Sequence, residues 1–95
     1  SPDGVLRYTA QWAAAVALEN AGDFQKALDV YQKMSGEADN PFKEYGRLGM
    51  ARAMELMGKK QEAEKILQDL LSQETEIPQA VESAARDKLL VLKLK

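Results

Sequence analysis

The sequence predicts an all-α protein of five helices, and three observations carry that expectation. Ala, Leu, Glu, Lys, Gln and Met dominate the 95 residues, and these are the better helix formers. The three prolines stand at positions 2, 41 and 78, where they punctuate the chain instead of interrupting a helix. No stretch alternates apolar and polar residues for long enough to make a strand.

The first helix is expected over about 5–20, after the turn signal Asp3-Gly4 and closing before Ala21-Gly22, because a glycine just past a helix takes the left-handed conformation that ends it. The second follows over about 23–35, with Asp23 as N-cap or as a first-turn charge suited to the helix dipole. A polar loop, Ser35-Gly36-Glu37-Ala38-Asp39-Asn40, separates it from the third. Asn40-Pro41 reads as an N-cap followed by proline at the first helical position, so the third helix is expected over about 41–57, stopping at Gly58. The fourth covers about 60–73. After the loop around Glu74-Thr75-Glu76, Pro78 opens a last helix reaching nearly to Lys95.

The chain also repeats itself. An offset of 36 residues aligns Ala15 with Ala51, Ala17 with Ala53, Glu19 with Glu55, Gly22 with Gly58, Ala27 with Ala63 and Gln32 with Gln68. Leu18, Tyr31 and Met34 align with Met54, Leu67 and Leu70. Each unit is a helix, a short turn at glycine and a second helix. Neither unit can bury its apolar face alone, so the two are expected to stack.

The stretch Ala14-Ala15-x-x-Leu18-x-x-x-Gly22-Asp23-Phe24-x-x-Ala27-Leu28-x-x-Tyr31-x-x-Met34 resembles a tetratricopeptide repeat (TPR). The stretch Met50-Ala51-x-x-Met54-x-x-x-Gly58-Lys59-Lys60-x-x-Ala63-x-x-x-Leu67-x-x-Leu70 is similar to a more divergent copy. The resemblance implies a TPR-like superhelix of two helix-turn-helix hairpins, about 5–35 and 41–73, plus a capping helix over about 78–94, all within one domain. It also implies that Ala15 and Ala51 allow a close helix–helix approach, with Ala27 and Ala63 packing beside the turns. Gln11 and Arg47 stand where the family often has tryptophan, Trp12 is shifted by one, and Lys60 replaces the aromatic seen at Phe24.

Composition removes several function classes. With no cysteine and no histidine, neither thiolate–imidazole zinc sites nor Cys–His, Ser–His–Asp or other His-based catalysis can form. A net charge of −2 argues against nucleic acid as partner. No apolar run approaches the ~20 residues of a membrane span, so no direct membrane insertion by this segment is expected. The acidic pairs Glu62/Glu64 and Glu74/Glu76 read as dipole and solubility devices, and no Asp-x-Asp-x-Asp-Gly loop is present. The spacings Glu55–Lys59, Asp29–Lys33, Lys65–Asp69 and Glu82–Arg86 suggest exposed ion pairs along helices. Catalytic, cofactor and metal residues are accordingly expected to be none.

Apolar residues at helical spacing are expected to form the core: Ala14, Leu18, Ala27, Leu28, Tyr31 and Met34 in the first unit, and Met50, Met54, Ala63, Ile66, Leu67, Leu70 and Leu71 in the second. The TPR resemblance places a concave, partner-binding groove at Thr9, Trp12, Val16, Glu19 and Asn20 of the first unit and at Tyr45, Leu48, Arg52, Glu55 and Leu56 of the third helix. Such a groove suits an apolar protein or peptide segment with one acidic anchor for Arg52. The alternative is a structural or oligomerising module, with the groove filled internally and the apolar run Leu89-Leu90-Val91-Leu92 making a self-contact, so a homodimer stays open. The first residue is Ser, which suggests an excised fragment or a processed chain. The style is similar to bacterial members of the family, including envelope proteins tethered by an N-terminal anchor; a cytoplasmic and a periplasmic location are equally compatible.

Overall fold

The computed structural model describes residues 2–95, so Ser1 and the processing expectation that rests on it lie outside the described residues. Five helices follow one another: α1 (Pro2–Asn20), α2 (Phe24–Gly36), α3 (Lys43–Leu56), α4 (Lys60–Ser72) and α5 (Gln79–Leu94). Each helix packs against the next, and α3 also touches α5. The chain therefore forms two stacked hairpins, α1–α2 and α3–α4, with α5 laid against the second.

The two hairpin turns are copies of each other at the 36-residue offset. Gly22 and Gly58 take φ of 82° and 79°, the left-handed conformation that costs a residue without Cβ least. Around Gly22 the N–H of Asp23 donates to the Leu18 carbonyl at 2.9 Å and that of Gly22 to the Glu19 carbonyl at 3.0 Å. Around Gly58 the N–H of Lys59 donates to Met54 at 2.8 Å and that of Gly58 to Glu55 at 2.9 Å. This pair of bonds closes the last helical turn by satisfying carbonyls that would otherwise lack partners.

The core lies in two successive layers. Ala15, Ala27, Tyr31 and Met34 are buried between α1 and α2, with Phe42, just before α3, and Met50 of α3 packed on them. Ala51, Ala63, Leu67, Leu70, Val81, Ala85 and Leu92 form the second layer between α3, α4 and α5. The alanines expected at close approaches, Ala15 and Ala51, are 0% and 1% exposed.

Three expectations need correction. α1 starts at Pro2, not near Val5: proline suits a first helical position, and Asp3 in the first turn complements the dipole. The Asp3-Gly4 pair is therefore helix and not turn. α3 starts at Lys43, after a turn in which the Asn40 side-chain oxygen takes the Phe42 N–H at 2.8 Å. Asn40 thus closes a turn three residues ahead of the helix, whose N-cap is Phe42, and Pro41 lies in that turn. Ala14, expected in the core, is exposed. Its 36-residue counterpart Met50 packs against α2, whereas Ala14 has no place in that cluster.

Candidate functional site

The odd-numbered helices are joined side by side through their side chains, while α2 and α4 lie behind them. Trp12 of α1 stacks on Tyr45 of α3, ring centroids 4.7 Å apart, and on Phe42 at 5.1 Å. Offset aromatic pairs at these distances add attraction beyond area burial. Farther along the same seam Arg52 of α3 grips Glu19 of α1. Its Nε donates to one carboxylate oxygen at 2.6 Å and its Nη2 to the other at 3.0 Å. The buried Tyr31 hydroxyl of α2 donates to Glu19 at 2.6 Å and accepts from Arg52 at 3.1 Å. One residue from each of three helices meets here.

The electrostatics of this triad follow from its partial burial. Burial raises the Glu19 carboxyl, but hydrogen bonds from Arg52 and Tyr31 and the Arg52 charge outweigh it and hold the group below the usual carboxylate range. Burial and the hydrogen bond to Glu19 push the Tyr31 phenol up to about 12. Arg52 is raised by its hydrogen bond to Glu19, against the opposing effect of burial.

The seam between α3 and α5 repeats the pattern. Lys88 reaches Glu55 at 2.9 Å, and Lys95 adds a second cation at 3.4 Å. The Lys88 hydrogen bond lowers the Glu55 carboxyl, against burial, with help from Lys95. The expected Glu55–Lys59 helix pair is thus replaced by contacts across helices. Lys65–Asp69 and Glu82–Arg86 do form, at 3.3 and 2.9 Å. Asp29 accepts from Gln25 at 3.1 Å.

The ten groove positions fall into three groups. Trp12, Tyr45, Glu19 and Arg52 come together at the α1–α3 seam. Thr9, Trp12, Val16 and Asn20 line, with Ala13 and Ala17, a shallow depression of about 380 Å³ along the outer flank of α1. Glu55 belongs to the α3–α5 seam, Leu48 is half-buried against the second core layer, and Leu56 stands exposed. The acidic anchor expected for Arg52 is already supplied by the chain's own Glu19.

Sequence reasoning did not single out Gly46 and Gly49, which set how closely α2 approaches α3. A Cβ built on Gly49 falls 2.5 Å from Tyr31 ring carbons; one on Gly46 falls 2.9 Å from the Met34 Cβ and from the Tyr31 carbonyl oxygen. Two glycines three apart inside a helix are the signal, since each costs helix stability that packing must return. Asn40 was read as a cap alone, yet it is buried, and its amide donates to Gln11 and Glu37 at 3.2 Å each. Gln11 thereby ties α1 to the α2–α3 loop.

Among the described residues no three His, Cys, Asp or Glu side chains gather as a metal site would require, and no helix is long and apolar enough to cross a membrane. A family model described as a tetratricopeptide repeat matches residues 18–86, well over half of the chain. No curated protein and no solved structure matched it.

Proposed function

Because the chain belongs to the tetratricopeptide repeat family, we propose that it is a non-catalytic module that binds a protein segment along the surface of its odd-numbered helices. The family generally mediates protein–protein interaction. The observation that supports this face is its exposed apolar side chains: Val16, 36% exposed, lines a depression with the half-buried Trp12, and Leu56 at the end of α3 is 49% exposed. Thr9 and Asn20 line that depression, Tyr45 packs on Trp12, Leu48 is half-buried against the second core layer, and Glu19, Arg52 and Glu55 hold the helices together. A groove prepared in advance binds with a smaller ordering cost than one that must form.

A second reading, a structural or self-associating module, is favoured by α5. There Leu90, Val91 and Leu94 are exposed at a helix end.

Light scattering across concentration, with Trp12 fluorescence on the same samples, separates the two. Trp12 is the single tryptophan, so its emission reports one site. A monomer whose Trp12 is reached by a soluble quencher supports the binding module. A dimer with blue-shifted, protected emission overturns it in favour of self-association.

A further inference from the structure

The 36-residue offset places three copies of one helix flank in the chain. Ala13 and Val16, which line the depression on α1, recur as Gly49 and Arg52 on α3 and as Ala85 and Lys88 on α5. The two later copies are covered by the helices before them. Tyr31 of α2 lies over Gly49, where a Cβ would fall 2.5 Å from its ring, and its hydroxyl accepts from Arg52 at 3.1 Å. Leu67 of α4, 36 residues after Tyr31, shares a buried cluster with Ala85, and Lys88 pairs with Glu55. The copy on α1 has no such cover: Ala13 and Val16 are both exposed, along a depression of about 380 Å³.

From this we infer that the depression on α1 receives an amphipathic helix of a partner protein, seated as α4 is on α5, with an aliphatic side chain over Ala13 and Val16. The inference rests on the binding reading above and specifies the form and chemistry of the segment. Both residues that distinguish this flank from that of α3 agree on it. An α2-like tyrosine would crowd the Ala13 Cβ, as it would one on Gly49, and its hydroxyl would find Val16 where Arg52 supplies a bond. An aliphatic residue, as at Leu67, avoids both losses and buries apolar surface. Arg52 and Lys88 each pair with a glutamate of the preceding odd helix, whereas Val16 offers no cation, so the segment needs no acidic anchor there. A second copy of the chain is a poorer occupant. Its helices of the required kind, α2 and α4, have their apolar faces buried already. The exposed side of α5 carries Asp87 with Leu90 and Leu94, and burying that carboxylate against an apolar flank is costly.

The test pans two displayed libraries on the whole chain. One is the α4 sequence, Lys60–Ser72, with positions 63, 67 and 70 randomised; the other holds unconstrained random peptides. Synthetic versions of the enriched peptides are then titrated by calorimetry, and their circular dichroism is read with and without the chain. The helical library is expected to enrich Leu, Ile or Met at position 67 and to exclude Tyr, with helicity gained on binding. Affinity should fall about tenfold in Ala13→Lys. Ala13 is exposed, and an unchanged melting midpoint shows that this variant stays folded. Ala13→Gly combined with Val16→Arg rebuilds the α3 flank on α1 and should readmit Tyr at position 67. Enrichment of Tyr on the parent chain, continued rejection of Tyr by the folded double variant, enrichment from the unconstrained library alone, or unchanged affinity in Ala13→Lys overturns the inference and leaves the binding reading standing. A dimer by light scattering that Ala13→Lys dissociates overturns the inference in favour of a second copy. No enrichment from either library overturns both.

Discussion

Replacing Gly49 by alanine should destabilise the protein, although the same exchange in an open helix stabilises it. The alanine Cβ would sit 2.5 Å from Tyr31 ring carbons, about 1 Å inside ordinary contact. Tyr31 is 0% exposed, so its ring has little room to retreat. Any retreat pulls its hydroxyl from Glu19, 2.6 Å away. Overpacking costs about 1–3 kcal/mol. Weakening a hydrogen bond to a charged group adds part of about 1.5–3 kcal/mol. Better helix propensity returns about 1 kcal/mol. The net expectation is a loss of about 1–3 kcal/mol, or a melting midpoint lower by about 4–8 °C for each kcal/mol at this chain length. Gly36 is the control: it ends α2, and nothing lies within 4 Å of a Cβ built there. Gly36→Ala should be neutral or stabilising by up to about 1 kcal/mol. Urea unfolding followed by circular dichroism reads both variants. If Gly49→Ala proves as stable as the parent chain, the close α2–α3 approach is wrong.

Further expectations concern the second core layer and the titrating groups. Ala51→Leu adds bulk at a site 1% exposed and should cost about 1–3 kcal/mol by overpacking; an unchanged urea midpoint would refute the 36-residue register. Glu19 and Glu55 have folded pKa values below the 4.5 of the unfolded chain, so their contribution is present above pH 4.5 and is lost as pH falls through the folded values. The unfolding midpoint should therefore drop on acidification, and less so in Glu19→Gln. Tyr31 is raised from 10.0 to about 12, so its contribution is complete below pH 10.0 and disappears as pH climbs toward about 12. Ultraviolet titration should show one of the three tyrosines ionising late, and Tyr31→Phe should remove that step.

Much of the fold was legible in the sequence because its signals are local. Glycines at Gly22 and Gly58, the periodic apolar residues and the small Ala15, Ala27, Ala51 and Ala63 each act within one hairpin. The start of α1 was misplaced because Asp3-Gly4 carries a turn signal that Pro2 and the dipole override. Ala14 was misplaced because helical spacing marks a face without saying whether another helix covers it. The site was legible as positions and not as chemistry. Arg52 appeared free because its partner lies 33 residues away across a helix seam. The clue was present: Glu19 and Glu55 align at the repeat offset, as do Arg52 and Lys88. The Asn40–Gln11 bond gave no such clue, since a contact spanning 29 residues has no local pattern.

The central claim is that a protein segment binds on the surface of the odd-numbered helices. Amide chemical-shift mapping of the labelled chain, titrated with a library-selected peptide, tests it most directly. The account predicts that the largest shifts cluster at Trp12, Val16, Leu48 and Leu56, with the Arg52 guanidinium signal unmoved because Glu19 keeps it. Shifts concentrated instead on α2 and α4, with Val16 and Leu56 unchanged, would contradict it.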